Sequence, residues 1–176
     1  MWIMNGQNTV RLWRRSQSLN YATVLGRYMA DSGSAARECP FCDVSQMEAL
    51  VYNDDTCYAA ISRRPINKYH ILVIPRQHYE SFVALPDEIA SHIFLVAKRL
   101  STAIRKVCNP DAITHASDDD VTGRGFNLVS HYKLHIIPRY ASDKVRVSWH
   151  RERDPGPKRR SKYAAEIKTA LTTGHS

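Results

Sequence analysis

The sequence predicts an α+β fold, and three observations carry that prediction. Short β-prone runs with turn chemistry between them fill residues 49–76. A single long run with helical spacing follows from residue 85, and two further β-prone runs come after it. Strands, then one long helix, then strands again is an α+β order, and short connections among the early strands favour antiparallel pairing.

The elements are read in order. Residues 16–31, "SQSLNYATVLGRYMAD", suit a helix with Leu19, Ala22, Val24, Leu25 and Met29 as a rough apolar stripe, and "SGSAARE" reads as a linker into "CPFC". The runs "ALVYN" (49–53), "TCYAAIS" (56–62) and "YHILVIPR" (69–76) are separated by "NDD" and "RRPINK", as strands are by turns. The helix starts at "LPDE". Pro86 fits the first turn, and Asp87 and Glu88 complement the positive end of the dipole. Ile89, Ile93, Val96, Ala97, Leu100, Ala103, Ile104 and Val107 recur at helical spacing until Asn109-Pro110 stops the run. A strand "AITHAS" (112–117), a polar loop "DDDVTGRG" (118–125) and a strand "HYKLHIIPRY" (131–140) follow. "DPGPKRR" marks the end of the core, and 159–172 suit a final helix. The chain thus divides into an N-terminal helical extension (1–38), a central domain (39–150) and a C-terminal extension (151–176).

The charge of +8 sits at the ends. Arg11, Arg14, Arg15 and Arg27 face no acid within the first thirty residues, and residues 150–176 add another net +4, leaving the middle neutral. Basic ends can attract nucleic acid, acidic lipid or phosphorylated ligands, but no aromatic-interleaved stripe marks a nucleic-acid surface. A solvated surface is the plainer reading. No run is long enough to span a membrane. The Arg-bearing start could pass for a transit peptide, yet it lacks a secretory core, and a cytoplasmic location is expected.

Two clusters bear chemistry. Cys39 and Cys42, at C-x₂-C spacing, supply half of a tetrahedral zinc shell, and His70, His78, His131 and His135 are candidates for the other half. A reduced structural pair is the competing reading. A thioredoxin-type role is weaker, because no helix starts at Cys42 to lower a thiol pKa. On a strand over 131–140, His131, Lys133 and His135 share one face, while Tyr132, Leu134 and Ile136 pack on the other. Three nitrogen donors in a row suit an anion such as phosphate.

Together, "CPFC", "HILVIPRQH" and "HYKLHIIPRY" resemble the histidine triad (HIT) superfamily of nucleotidyl hydrolases and transferases, and more narrowly its bacterial zinc-bearing branch. The resemblance spans roughly residues 39–140. It implies a five-stranded antiparallel sheet with a long helix, commonly paired as a homodimer, and a structural Zn²⁺ held by Cys39, Cys42, His78 and His131. His70 matches a histidine that supports the triad, and His135 matches its third member. The family's middle histidine attacks the α-phosphate, and Lys133 stands in that position. Ser62 stands where an aspartate usually grips the ribose. Arg124, Asn127 and Ser130 are loose counterparts of the phosphate loop, which here begins with Asp118, Asp119 and Asp120. An ammonium is no nucleophile, but burial and nearby positive charge lower an amine pKa. A free amine on Lys133 could attack phosphorus, with His135 or His70 moving the proton. If Lys133 stays charged, the protein binds a nucleotide or phosphate without catalysing its transfer. The expectation is a divergent phosphoester or nucleotidyl hydrolase or transferase, and a catalytically silent nucleotide- or phosphate-binding protein is the alternative.

Overall fold

The structure, a computed structural model, is described for residues 39–119, 129–145 and 153–173. The helix expected over 16–31 and the loop residues Asp120, Arg124 and Asn127 lie outside those ranges. By internal contacts the chain forms two units, Met1–Asp143 and Lys144–Ser176.

In the first unit, β1 (Leu50–Asn53), β2 (Cys57–Ile61) and β3 (Ile71–Pro75) precede the long helix α1 (Asp87–Cys108), and β4 (Ala112–Ala116) and β5 (Leu134–Arg139) follow it. They build one five-stranded sheet in the order β1-β2-β3-β5-β4, with every neighbouring pair antiparallel. β1 carries a register irregularity between Leu50 and Tyr52. In the second unit, α2 (Pro157–Thr173) exposes residues 157–172, including Tyr163, Ile167 and Leu171. No helix among the described residues is long and apolar enough to cross a membrane.

Alternation sorts the strand residues between two faces. Cys57, Ala59, Ile71, Val73, Leu134 and Ile136 meet Ile93, Val96, Ala97, Leu100 and Ile104 of α1 in the main core. Tyr132, Leu134 and Ile136 therefore pack where their spacing places them. Val107 continues the helical stripe but is 66% exposed. On the opposite face Tyr58, Leu72 and Ile74 are covered by Phe41, Val44 and Met47 from the segment before β1. That cover brings the two cysteines over the sheet.

Two boundaries differ from the sequence reading. Pro86 is the residue that caps α1 rather than a member of its first turn; its carbonyl accepts the N–H of Ala90. At the other end Asn109 takes the left-handed conformation and donates its N–H to the Arg105 carbonyl. The last strand begins at Leu134, not at His131. The N–H groups of His131 and Tyr132 go to the carbonyls of Val129 and Tyr79, outside the β3 ladder, which pairs only Ile71, Leu72 and Val73 with β5.

Candidate functional site

Cys39-Pro40-Phe41-Cys42 is a tight turn in which the Cys42 N–H donates to the Cys39 carbonyl. Proline in the second position presets the dihedral angle such a turn needs, and the closed turn brings both sulfurs to one side. His78 follows β3 by three residues and His131 precedes β5 by three. The sheet pairs those two strands as neighbours, so both imidazoles arrive at the cysteine turn. His131 Nδ1 lies 3.3 Å from Cys39 Sγ and 3.7 Å from Cys42 Sγ, and His78 Nδ1 lies 3.4 Å from Cys42 Sγ. All four donor atoms fall within 4.8 Å of one another.

These separations suit a metal tetrahedron. With Zn–S near 2.3 Å and Zn–N near 2.05 Å, a tetrahedral angle sets the S···N edge at about 3.6 Å. The fully buried His131 donates Nε2–H to the Pro75 carbonyl at 3.0 Å, which leaves the Nδ1 lone pair directed at the sulfurs. Burial, reinforced by the charges of His78 and Lys133, brings His131 down to about 4 and keeps it neutral. Burial, with the bond and charge of Cys39, pushes the Cys42 thiol up to about 12. A cation among the donors reverses that preference, because a coordinated thiol is held as thiolate. The four residues could hold a metal ion.

Beyond the cysteine turn, the same sheet face carries a second group. The Ile66 N–H donates to His70 Nδ1 at 3.2 Å, and His70 Nε2 lies 3.0 Å from His135 Nδ1. An N–H into Nδ1 of neutral His70 leaves its proton on Nε2, to be donated to His135 Nδ1. His135 in turn keeps its proton on Nε2. Burial draws both histidines down to about 4, with the positive charges of His70 and Lys133 adding to the effect at His135. Backbone geometry thus selects a proton-donating His135.

Lys133 is 6% exposed. Its Nζ donates to the carbonyls of Val129 at 2.9 Å and His131 at 3.0 Å, and stands 5.2 Å from the centre of the Phe41 ring. Burial lowers its pKa to about 8, against an opposing pull from Cys39. Two carbonyl acceptors take two N–H bonds, which an amine and an ammonium can both supply.

Of the remaining sequence candidates, Ser62 follows β2 directly and its N–H donates to the His70 carbonyl, so it adjoins the histidine pair. Ser130 is exposed beside His131, and Arg124 and Asn127 lie outside the described residues. Asp119 accepts the Phe82 N–H, which ties one acid of the loop to the turn before α1. Sequence reasoning missed Phe41 as the ring under Lys133 and the Pro75 carbonyl as the group orienting His131. The first sits inside "CPFC" and was open to notice. The second is a main-chain atom 56 positions away, for which no sequence signal exists. A groove of about 460 Å³ lies on the α1 side of the sheet, not at this site, and includes Phe94, Lys98, Ser101, Arg105 and His115 among its walls.

Comparison with known proteins agrees with the fold. The sequence model of the HIT domain matches residues 45–142, more than half of the chain. A curated relative, protein hit of Bacillus subtilis, is 33% identical over 109 residues, which cover 60% of this chain and 73% of that protein. A crystal structure of a HIT family protein from Bacillus anthracis superposes with a TM-score of 0.67 at 29% identity, covering 76% of this chain and 96% of that one. A zinc-bound histidine triad family protein from Mycobacterium smegmatis gives 0.56 at 25% identity, covering 77% and 99%. Two further relatives are named for an activity. Adenylylsulfatase HINT3 of Arabidopsis thaliana is 25% identical over 116 residues, 64% of this chain and 58% of that protein. Bis(5'-adenosyl)-triphosphatase of Dictyostelium discoideum is 26% identical over 111 residues, 60% and 73%.

Proposed function

The chain belongs to the HIT domain family, and from that premise we propose that it acts on a nucleotide or other phosphorylated ligand as a divergent hydrolase or transferase. The observation that carries the reading is the buried Lys133 amine, tied to two carbonyls in the same sheet neighbourhood as the His70–His135 pair. Two relatives, named as an adenylylsulfatase and a bis(5'-adenosyl)-triphosphatase, support an adenylyl ester or anhydride as the substrate class.

In this reading the deprotonated Lys133 Nζ attacks phosphorus. An N–P bond forms, the P–O bond to the leaving group breaks, and His135 Nε2–H hydrogen-bonds the departing oxygen, which takes a proton from solvent as it leaves. The amine's own surplus proton passes to solvent. Water or a second acceptor then cleaves the N–P bond. Ser62 and Ser130, with Arg124 and Asn127 of the loop, are the proposed phosphate and sugar contacts.

Zinc at Cys39, Cys42, His78 and His131 belongs to the same reading and is structural: four protein donors close the shell. Its supports are the S···N spacings, the tautomer of His131 and the zinc-bound relative. A homodimer is also proposed. The exposed Phe94, Leu95 and Val107 of α1 and the open edge of β4 are surfaces a second copy could cover. A cytoplasmic setting, where Cys39 and Cys42 stay reduced, completes it.

One observation favours the silent alternative. Both oxygens bonded to Nζ are acceptors and Phe41 adds a ring face, a setting that also suits a permanent ammonium. A single experiment separates the two. Incubation with adenylyl and phosphoryl donors, followed by intact-mass and peptide analysis, leaves an adduct on Lys133 if it is the nucleophile, and Lys133→Ala abolishes turnover. Absence of both adduct and turnover across a broad nucleotide panel, with affinity still lost in Lys133→Ala, establishes the phosphate clamp instead.

A further inference from the structure

On the helix-covered side of the sheet, opposite the face that carries the cysteine turn, a second donor cluster has formed. We propose that Asp54, Cys57 and His92 constitute a second metal site, selective for Zn²⁺ or a similar borderline cation such as Co²⁺. Its donors come from three elements: Asp54 from the β1–β2 turn, Cys57 from the first position of β2, and His92 from the second turn of α1. One carboxylate oxygen, the Cys57 sulfur and a His92 ring nitrogen all lie within 4.8 Å of one another.

The carboxylate is oriented before any ion arrives. Its Oδ1 accepts the N–H groups of Thr56 and Cys57, both at 2.8 Å, which turns Oδ2 toward His92 Nε2 at 2.7 Å and the Tyr52 hydroxyl at 2.5 Å. Oriented carboxylates with outer hydrogen-bond partners are what metal sites use to hold a ligand in register. Tyr52 supplies that outer partner here, with its ring packed against the core.

Charge and access are consistent with an ion. One carboxylate and one thiolate neutralise a divalent cation, so the filled site buries no net charge. The His92 and Asp54 side chains are 34% and 28% exposed, which leaves an entry path, while Cys57 closes the floor with no exposure. An N, O, S donor set suits zinc or cobalt and does not suit the oxygen-seeking Mg²⁺ or Ca²⁺. A zinc tetrahedron has donor edges of about 3.3 to 3.6 Å. The Nε2–Oδ2 pair must open by roughly half an ångström from its hydrogen-bonded distance to reach that range, a shift that His92 can make about its side-chain torsions.

The proton balance is simple. The ion replaces the hydrogen between His92 Nε2 and Asp54 Oδ2. His92 carries its proton on Nδ1 instead, and Cys57 releases one proton to solvent as its sulfur binds. Water completes a four-coordinate shell.

Metal analysis of the full chain reconstituted with Zn²⁺ tests the assignment. The wild type takes up about two ions per chain, His92→Asn about one, and the Cys39→Ser/Cys42→Ser variant also about one. Loading that cysteine variant with Co²⁺ gives a thiolate-to-cobalt absorption band, which disappears when Cys57→Ala is added. A wild type whose single ion is lost in the Cys39→Ser/Cys42→Ser variant overturns the site, even if His92→Asn fails to fold. A folded His92→Asn that keeps both ions overturns it equally.

Discussion

Acid destabilises this fold through His70 and His135. In the folded protein both sit near a pKa of about 4, with burial as the main cause, against ~6.5 in an unfolded chain. The sign follows from proton uptake. Between those values the unfolded chain binds protons that the folded one refuses, so stability falls as pH drops from 6.5 toward 4 and is unaffected by these groups above 7. At pH 5 the linkage integral amounts to about 2 kcal/mol for each histidine. Neither side chain reaches solvent appreciably, at 2% and 8% exposure, so screening takes little from it. The pair together is worth up to about 4 kcal/mol, and less where the two share one proton across their 3.0 Å contact. Urea melts of the wild type and of His70→Gln/His135→Gln at pH 7 and pH 5 measure it. The double difference cancels acid release of metal, which both proteins share. The wild type loses stability more steeply by about 2 to 4 kcal/mol across that window. Equal slopes in the two proteins would show that the pair is not held neutral, and the hydrogen-bond-donor role of His135 would fall with it.

Other expectations are independent of that pair. Cys39→Ser removes a donor from the proposed zinc site of Cys39, Cys42, His78 and His131, and the variant should bind one ion fewer and melt many degrees lower, whereas a metal-free wild type of undiminished stability would refute the structural role. Ile136→Ala empties a fully buried position between the sheet and α1 and should cost about 2 to 5 kcal/mol in denaturant melts, while Ile167→Ala, at 64% exposure, should cost under about 0.5. Tyr69 holds a left-handed φ of 63° immediately before His70 and is 44% exposed. Tyr69→Gly should therefore leave stability unchanged or raise it by up to about 1 kcal/mol, since relief of that conformation outweighs the backbone entropy of glycine. A clear loss would mean that its ring packs more tightly than its exposure implies.

The sequence by itself determined the order and type of the elements: the unbroken apolar run at 71–75 has strand length and is buried on both faces, while the alternation of Leu134 and Ile136 and the helical recurrence of Ile93, Val96, Ala97, Leu100 and Ile104 each encode one face of the main core. Through the family resemblance it also named Cys39, Cys42, His78 and His131, the four residues whose donor atoms the structure gathers within 4.8 Å of one another. Tertiary structure decided what those identities do. The start of β5 at Leu134 depends on where the N–H groups of His131 and Tyr132 find acceptors. The tautomers of His70 and His135 depend on the Ile66 N–H. The surroundings of Lys133 depend on two carbonyls and on Phe41, 92 positions earlier in the chain. The meeting of Asp54 with His92, across 38 positions and without any motif, was equally out of reach. Main-chain oxygens and long-range contacts have no letter in a sequence, and in this protein they govern protonation while the letters govern packing.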